Sequence, residues 1–268
     1  SDRKVSAAVQ ANLEAKYHLD LPLWQQYLLY LKGLLQGDLG ASFRYADWSV
    51  NDLVASALPV SLSIGGIAML LSVLIGVSLG IFAALRQNSV VDHFVMLLGN
   101  VGSAVPSFVL GPVMIIIFAI ALKWLPAGGW HDFEFRFMIL PIALLTIINV
   151  STIGRVMRGS LIEVMHSNFI RTARAKGLPT RVVVLRHALK PALLPVVSVL
   201  GPLAISSITA ALVTETVFSL PGLGKLIVNG AGNRDYTLVL GLVVLITVLT
   251  VTLNLLVDLA YAWLDPKI

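Results

Sequence analysis

A chain of 268 residues that is 57% hydrophobic, only 12% charged and has a mean hydropathy of +0.88 is too apolar for a water-soluble globule, where about a quarter of residues are charged. The absence of cysteine excludes disulfides, thiolate metal sites and cysteine nucleophiles. The net charge of +5 is not a nucleic-acid signature, because eight of the nineteen Lys and Arg residues crowd between Arg155 and Lys190, with Glu163 the sole acid among them; in a membrane protein such asymmetry reports topology first.

Taken in chain order, residues 1–52 hold five basic and six acidic side chains and read as a helical segment outside the bilayer. Ala11 to Tyr17 and Leu23 to Leu35 have amphipathic spacing, and Pro22 suits the start of the second helix. "QGDLGASF" (36–43) has the glycine chemistry of turns. The segment is too short for a domain of its own and is expected to pack on the outer rim. Five runs free of Asp, Glu, Lys and Arg follow: Leu53 to Leu85, Phe94 to Leu122, Phe137 to Gly154, Pro191 to Thr214 and Tyr236 to Val257. Each has at least 18 residues, and a helix needs about 20 to cross a ~30 Å hydrocarbon core. Strands of a membrane barrel would instead alternate in segments of about ten. The expectation is an all-α integral membrane protein, with five transmembrane helices over residues 53–264 and a short tail at 265–268. Within the first run, "GVSLG" (76–80) has the small-xxx-small spacing that brings membrane helices close.

Short cytoplasmic loops collect Lys and Arg. The 155–190 loop is therefore placed in the cytoplasm, with Arg86 to His93 and the C-terminus, while 1–52, 123–136 and 218–235 fall on the outer side. With Ser1 outside, a sixth transmembrane helix is expected to precede it.

Topology alone does not require the order seen in "NFIRTARAKGLPTRVVVLRHALKPALLP" (168–195). Asn168 suits the cap of a helix through Lys176, Gly177 its end, and Pro179 the opening of the next. Ala173 and Ala175 are expected to leave backbone accessible beside Arg171 and Arg174, which suits docking on another surface. Elsewhere, Glu215, near the outer end of the fourth span, is either a gate or substrate group or an interfacial carboxylate. Asn100, Ser103 and Asn149 either line a polar pathway or bond neighbouring helices, and Asn254 and Asp258 read as a helix-to-helix hydrogen-bonding pair. "PGLGKL" (221–226) lacks the spacing and the hydroxyl of a phosphate loop, and the five histidines have no metal-ligand spacing. A secondary transporter or channel would need inverted repeats or mid-membrane charge, and an intramembrane enzyme a catalytic pair; neither is evident in the spans.

"RTARAKGLP…RHALKPALLP" resembles the cytoplasmic loop of ABC importer permeases of the binding-protein-dependent peptide/nickel family. There a Glu-Ala-Ala triplet stands six residues before a glycine, followed by an Ile-x-Leu-Pro element. This chain has Ala173, Gly177, Leu189 and Pro191, while Arg171 and Thr172 replace Glu and Ala, as in the peptide branch. "LPLWQQYLLYLKGLLQGDLGASF" (21–43), "TETVFSLPGLGKLIVNGAGNRDY" (214–236) and "LNLLVDLAYAWLDPKI" (253–268) are similar to that family's outer segments and C-terminus. The resemblance implies a type I ABC importer transmembrane domain in a bacterial cytoplasmic membrane, forming half of a pathway for oligopeptides, with dipeptides, nickel or another small solute as alternatives. It further implies a second permease subunit, two ATPase subunits holding ATP and Mg, and an external peptide-binding protein. The chain itself would bind no cofactor and catalyse no reaction. Residues Asn168, Arg171, Thr172, Ala173, Arg174, Ala175, Lys176, Gly177, Leu178 and Pro179 would form the element seated on an ATPase.

Overall fold

A computed structural model describes residues 21–45 and 48–264, apart from the side chains of Leu98, Val101, Ser103, Thr209 and Leu264. The predicted helix Ala11 to Tyr17 and the tail 265–268 lie outside the described residues. The described chain is helical almost throughout. Its elements are α1 (Leu23–Leu35), α2 (Val50–Leu85), α3 (Val90–Ala104), α4 (Ser107–Ala121), α5 (Phe135–Met165), α6 (Asn168–Ala175), α7 (Thr180–Val217), α8 (Leu223–Gly232) and α9 (Tyr236–Leu264). Four of them, α2, α5, α7 and α9, are long and apolar enough to cross a membrane.

Those four coincide with four of the five charge-free runs. The exception is Phe94 to Leu122, expected as one helix and found as two. α3 ends at Ala104, and the backbone is extended at Pro106 (φ −60°, ψ 144°) before α4 begins. Proline offers no N–H and pushes the preceding residue out of the helical region. The Pro106 carbonyl then accepts from the Val109 and Leu110 N–H groups and starts α4.

Because the helices alternate in direction, loops gather at two faces. One, the basic face, carries the α2–α3 turn and residues 166–179; the far face carries 36–45, 48–49, 122–134 and 218–235. α5 is the most enclosed span, and its principal neighbour is α2. Their contact is set by glycine: a Cβ on Gly80 would lie 2.7 Å from the Gly154 carbonyl oxygen, and one on Gly76 only 2.8 Å from Ile153 Cβ. The apolar core then follows the bundle from face to face. Near the far face Val50, Leu53, Leu223, Leu238 and Leu242 pack together. Ile64, Met138, Leu144, Leu145 and Phe218 form the middle. Ile153, Met157, Leu161, Ile170, Val183 and Val196 fill the half nearest the basic face.

The loop expected over 155–190 is shorter than that. α5 continues to Met165, so Arg155, Arg158 and Glu163 are helical, and the turn proper runs from His166 to Pro179. α7 then enters the bundle without a break through a π-helical stretch, Val183–Ala188, in which the Leu189 N–H reaches back five residues to Val184 O. Pro191 lies just beyond, and a proline that deprives its helix of a donor is a usual cause of such local rewinding.

Gly80 and Gly66 make a controlled comparison on one helix. Gly80→Val should destabilise the protein by about 1–3 kcal/mol through overpacking against backbone. Gly66→Ala, where an added Cβ meets nothing within 4 Å, should be neutral or gain a few tenths from helix propensity. Thermal unfolding of the two variants in detergent reads the difference.

Candidate functional site

The basic turn is built around two inward side chains. Ser167, extended at ψ 156°, precedes α6; its hydroxyl donates to Val164 O at 2.6 Å and makes no cap bond. Asn168, expected as the cap, is instead the first helical residue. Ile170 and Ala173, three residues apart, are buried and join Met157, Leu161, Val183 and Ala188 in the core. Ala173 was expected to leave backbone accessible, but at 6% exposure it is a packing residue, because α6 lies on the bundle by that very edge. Asn168, Arg171, Thr172, Arg174, Ala175 and Lys176 all face outward.

α6 ends at Ala175, with Lys176 as its C-cap. The Gly177 N–H donates to Arg174 O at 2.9 Å, and Gly177 sits at φ +78°, a conformation that an L side chain adopts at a cost. Leu178 turns back toward the core. The Pro179 carbonyl, at ψ 148°, receives the first N–H bonds of α7, from Val182 and Val183. The outcome is a short corner at which Arg171, Arg174, Lys176 and Arg181 are all exposed.

The polar residues proposed for a pathway lie on three helices: Asn100 and Ser103 on α3, Asn149 on α5 and Glu215 on α7. Asn100 is exposed on α3, and the Ser103 side chain lies outside the described residues. Asn149 is buried on α5 and donates through Nδ2 to Ser207 Oγ of α7 at 2.9 Å. Asn254 and Asp258 line a cleft of about 290 Å³ between α7 and α9 with Ser198, Gly201 and Tyr261. Glu215, only 2% exposed, is a joint of three helices. Its Oε1 accepts from the Ser61 hydroxyl of α2 at 2.6 Å, and its Oε2 accepts from the N–H groups of Gly224 and Lys225 at the start of α8, at 2.6 and 3.2 Å. Ser61 Oγ in turn accepts from the Leu223 N–H at 2.8 Å. The carboxylate thus satisfies the N–H groups that a helix start leaves open, where negative charge is also favoured. Gly224 is required there, since a Cβ would come within 2.6 Å of Leu212 Cα.

Two further carboxylate joints were not foreseen. At the basic face Asp92 is buried and takes a bidentate pair from Arg158, with Nη2 to Oδ2 at 2.6 Å, and also accepts from the Asn88 N–H at 2.9 Å. The Arg158 guanidinium holds the Asp92 carboxyl below the ordinary carboxylate range, against the opposing effect of burial. At the far face Asp235 gathers residues 42–44: it accepts from the Ser42 hydroxyl at 2.5 Å, the Phe43 N–H at 3.1 Å, the Arg44 N–H at 3.2 Å and, on its own side, the Leu238 N–H at 3.2 Å. Burial pushes the Asp235 carboxyl up, but these hydrogen bonds outweigh it and leave it below its usual range. Only one signal for these joints was present in the sequence: a lone acid standing just ahead of a charge-free run, as Asp92 and Asp235 both do.

Residues 76–268 match the family model described as "Binding-protein-dependent transport system inner membrane component". The oligopeptide transport system permease protein OppB of Haemophilus influenzae is 55% identical over 268 residues, covering all of this chain and 88% of that protein. OppB of Escherichia coli strain K12 is likewise 55% identical, over 87% of its length. The dipeptide transport system permease protein DppB of Bacillus subtilis is 42% identical over 86% of its length. Among solved structures, an inward-facing MetNI methionine ABC transporter superposes with a TM-score of 0.66 at 18% identity, over 80% of this chain and 96% of that one. At that identity the likeness concerns the fold.

Two predictions follow the carboxylates. Glu215→Gln turns a donor toward the α8 N–H groups and should destabilise the protein by about 1–3 kcal/mol, the cost of a buried group left without its partner, read as a lower melting temperature in detergent. Asp235 gives a pH signature. Its folded pKa lies below the unfolded value of about 3.9, so its contribution is complete above about pH 4 and is lost as pH falls through the folded value. Hydrogen exchange at the Phe43 and Arg44 amides should show equal protection at pH 7 and 5 and a loss below about pH 4, whereas in Asp235→Asn the protection should already be weak at pH 7.

Proposed function

This chain belongs to the family of binding-protein-dependent transport system inner membrane components; it is a permease subunit of an ABC importer, and we propose that it forms half of a translocation pathway for oligopeptides. The observation that carries the substrate is the 55% identity to oligopeptide permeases over the whole chain, against 42% to a dipeptide permease. The other half of the pathway is a second, homologous permease. Two ATPase subunits bind the ATP and Mg that drive it, and an external peptide-binding protein delivers the cargo. This chain binds neither nucleotide nor metal.

On this reading the basic face is cytoplasmic, in keeping with the gathering of Lys and Arg there. The corner Asn168 to Pro179 seats on one ATPase through Arg171, Thr172, Arg174, Ala175 and Lys176. Ile170, Ala173 and Leu178 hold it to the bundle, and Gly177 with Pro179 sets its angle. Asn100 and Ser103 are assigned to the pathway wall beside the break at Pro106. Asn149 and Glu215 are assigned to holding the walls, since their polar atoms bond Ser207, Ser61, Gly224 and Lys225.

The test is uptake of radiolabelled tri- to pentapeptides, with a dipeptide and Ni²⁺ as competing cargoes, into cells whose own permease gene is replaced by this one. Uptake of the longer peptides supports the reading; uptake of only the dipeptide or of Ni²⁺ overturns the cargo. The double variant Arg171→Glu, Arg174→Glu reverses two exposed charges without touching the core. It should insert normally yet lower uptake by about tenfold or more, a coupling loss of ~1.4 kcal/mol or greater, and recover fewer ATPase subunits on purification. Unchanged uptake and recovery would remove the docking assignment.

A further inference from the structure

Helix α1 has no part in the functions above, and its surface does not suit water. Trp24 and Tyr27 are each 62% exposed, Leu28 54% and Leu35 90%. At 100° per residue these four, with the half-buried Leu31, fall within about 100° of arc, a continuous apolar stripe along the whole helix. Lys32 stands at its margin, while Gln25, Gln26 and Gly33 lie outside it.

The other side of α1 faces the protein. Gln26, Leu29, Tyr30 and Gly33, with Tyr27 and Lys32 at the two edges of the stripe, line a cleft of about 750 Å³ whose far wall includes Asp38, Ser49 and Thr237. Ser49 caps α2, and Thr237 is in the first turn of α9. The stripe is therefore level with the ends of two membrane-crossing helices. It is also held there. The Asn51 side chain donates to Gly37 O at 2.6 Å and accepts from the Leu39 N–H at 2.8 Å; Asp235 holds Phe43 and Arg44 a few residues later. A Cβ on Gly40 would come within 2.9 Å of Thr237 Cγ2, so the connecting strap lies flat on α9.

Other exposed aromatic side chains lie at this face: Phe43 lines the same cleft, Trp48 and Tyr236 directly precede the cleft residues Ser49 and Thr237, and Trp124 lies in the far-face loop 122–134, which Phe135 directly follows. Aromatic residues collect where a membrane meets water, and an amphipathic helix with Trp and Leu on one face lies in that plane, with a lysine at its margin reaching the phosphates. We propose that α1 is an interfacial helix: the stripe Trp24, Tyr27, Leu28, Leu31 and Leu35 is seated in the headgroup and acyl boundary at the far face, and lipid rather than a protein partner covers it. The continuity of the stripe with the aromatic rim, and the absence of any charge within it, favour lipid.

The cysteine-free chain permits a direct test. Leu28→Cys, Leu35→Cys and Gln36→Cys are labelled singly with a nitroxide in the assembled importer, in vesicles of phosphatidylethanolamine and phosphatidylglycerol. Collisions with oxygen, which partitions into lipid, are compared with collisions with a water-soluble nickel chelate. Positions 28 and 35 should favour oxygen severalfold, and position 36, just past the helix and outside the stripe, the nickel chelate. Preference for the chelate at 28 and 35 would put the stripe in water. Exclusion of both reagents there would mean that a protein covers it. Either result overturns the proposal.

Discussion

Where a helix starts against packed protein, water does not reach its open N–H groups, and each has to be caught from within the protein. Carboxylates do the catching here. Glu215 closes the first turn of α8 and ties it to α2 through Ser61. Asp235 closes the first turn of α9 and gathers the strap 42–44. Asp92, in the first turn of α3, receives the Asn88 N–H and reaches across to Arg158 of α5. Each joint lies at a helix start, where the macrodipole favours negative charge. Each also fixes one element against another that is far away in sequence. With few charged residues in the chain, these three do more to define its tertiary arrangement than their number suggests.

Between those joints the bundle relies on closeness. Glycine at positions 76 and 80 lets α2 settle on the backbone of α5 at Gly154, and in lipid, which offers no hydrophobic drive between helices, such contact supplies the attraction. The second charge-free run behaves otherwise. Its break at Pro106 leaves α3 and α4 as separate short helices, the former clamped at its start by Arg158 and fitted to α5 at Gly102, where an added Cβ would come within 2.8 Å of Ile147 O. A rigid pair flanked by a divided helix is the contrast that this architecture sets up.

Much of this was legible from periodicity and charge. The apolar runs located α2, α5, α7 and α9, because a membrane span needs little besides length and the absence of charge. Leu23 to Leu35 was readable as a helix with Pro22 before it. The corner at Gly177 and Pro179 was readable too, since few residues suit those backbone angles. The break at Pro106 was not, because proline is tolerated within α2, α5 and α7 at Pro59, Pro141, Pro195 and Pro202, and its neighbours decide whether it kinks or interrupts a helix. Ala173 was assigned outward because α6 is too short for its sequence to define a face; only the packing of Ile170 settles which side is in. The role of Glu215 was open for a related reason. Its partners, Ser61 and the N–H groups of Gly224 and Lys225, lie 154 residues before it and 9 to 10 after it, and nothing local connects them.

The way α6 is mounted bears on how the proposed coupling would work. Two side chains, Ile170 and Ala173, anchor it, and they insert among Met157 and Leu161 of α5 and Val183 and Ala188 of α7. A helix held so narrowly could pivot if it stood alone. It is prevented from doing so because both its connections are short, with Ser167 bonded to Val164 on one side and Gly177 and Pro179 leading directly into α7 on the other. Displacement of α6 by a partner therefore has to be taken up by α5 and α7 together. α5 carries Arg158 and with it the start of α3, and α7 carries Glu215 and with it α8 and Ser61 of α2. Under that proposal a push on α6 would pass through α5 to Arg158, Asp92 and the start of α3 at the basic face, and through α7 to Glu215, α8 and Ser61 of α2 at the far face.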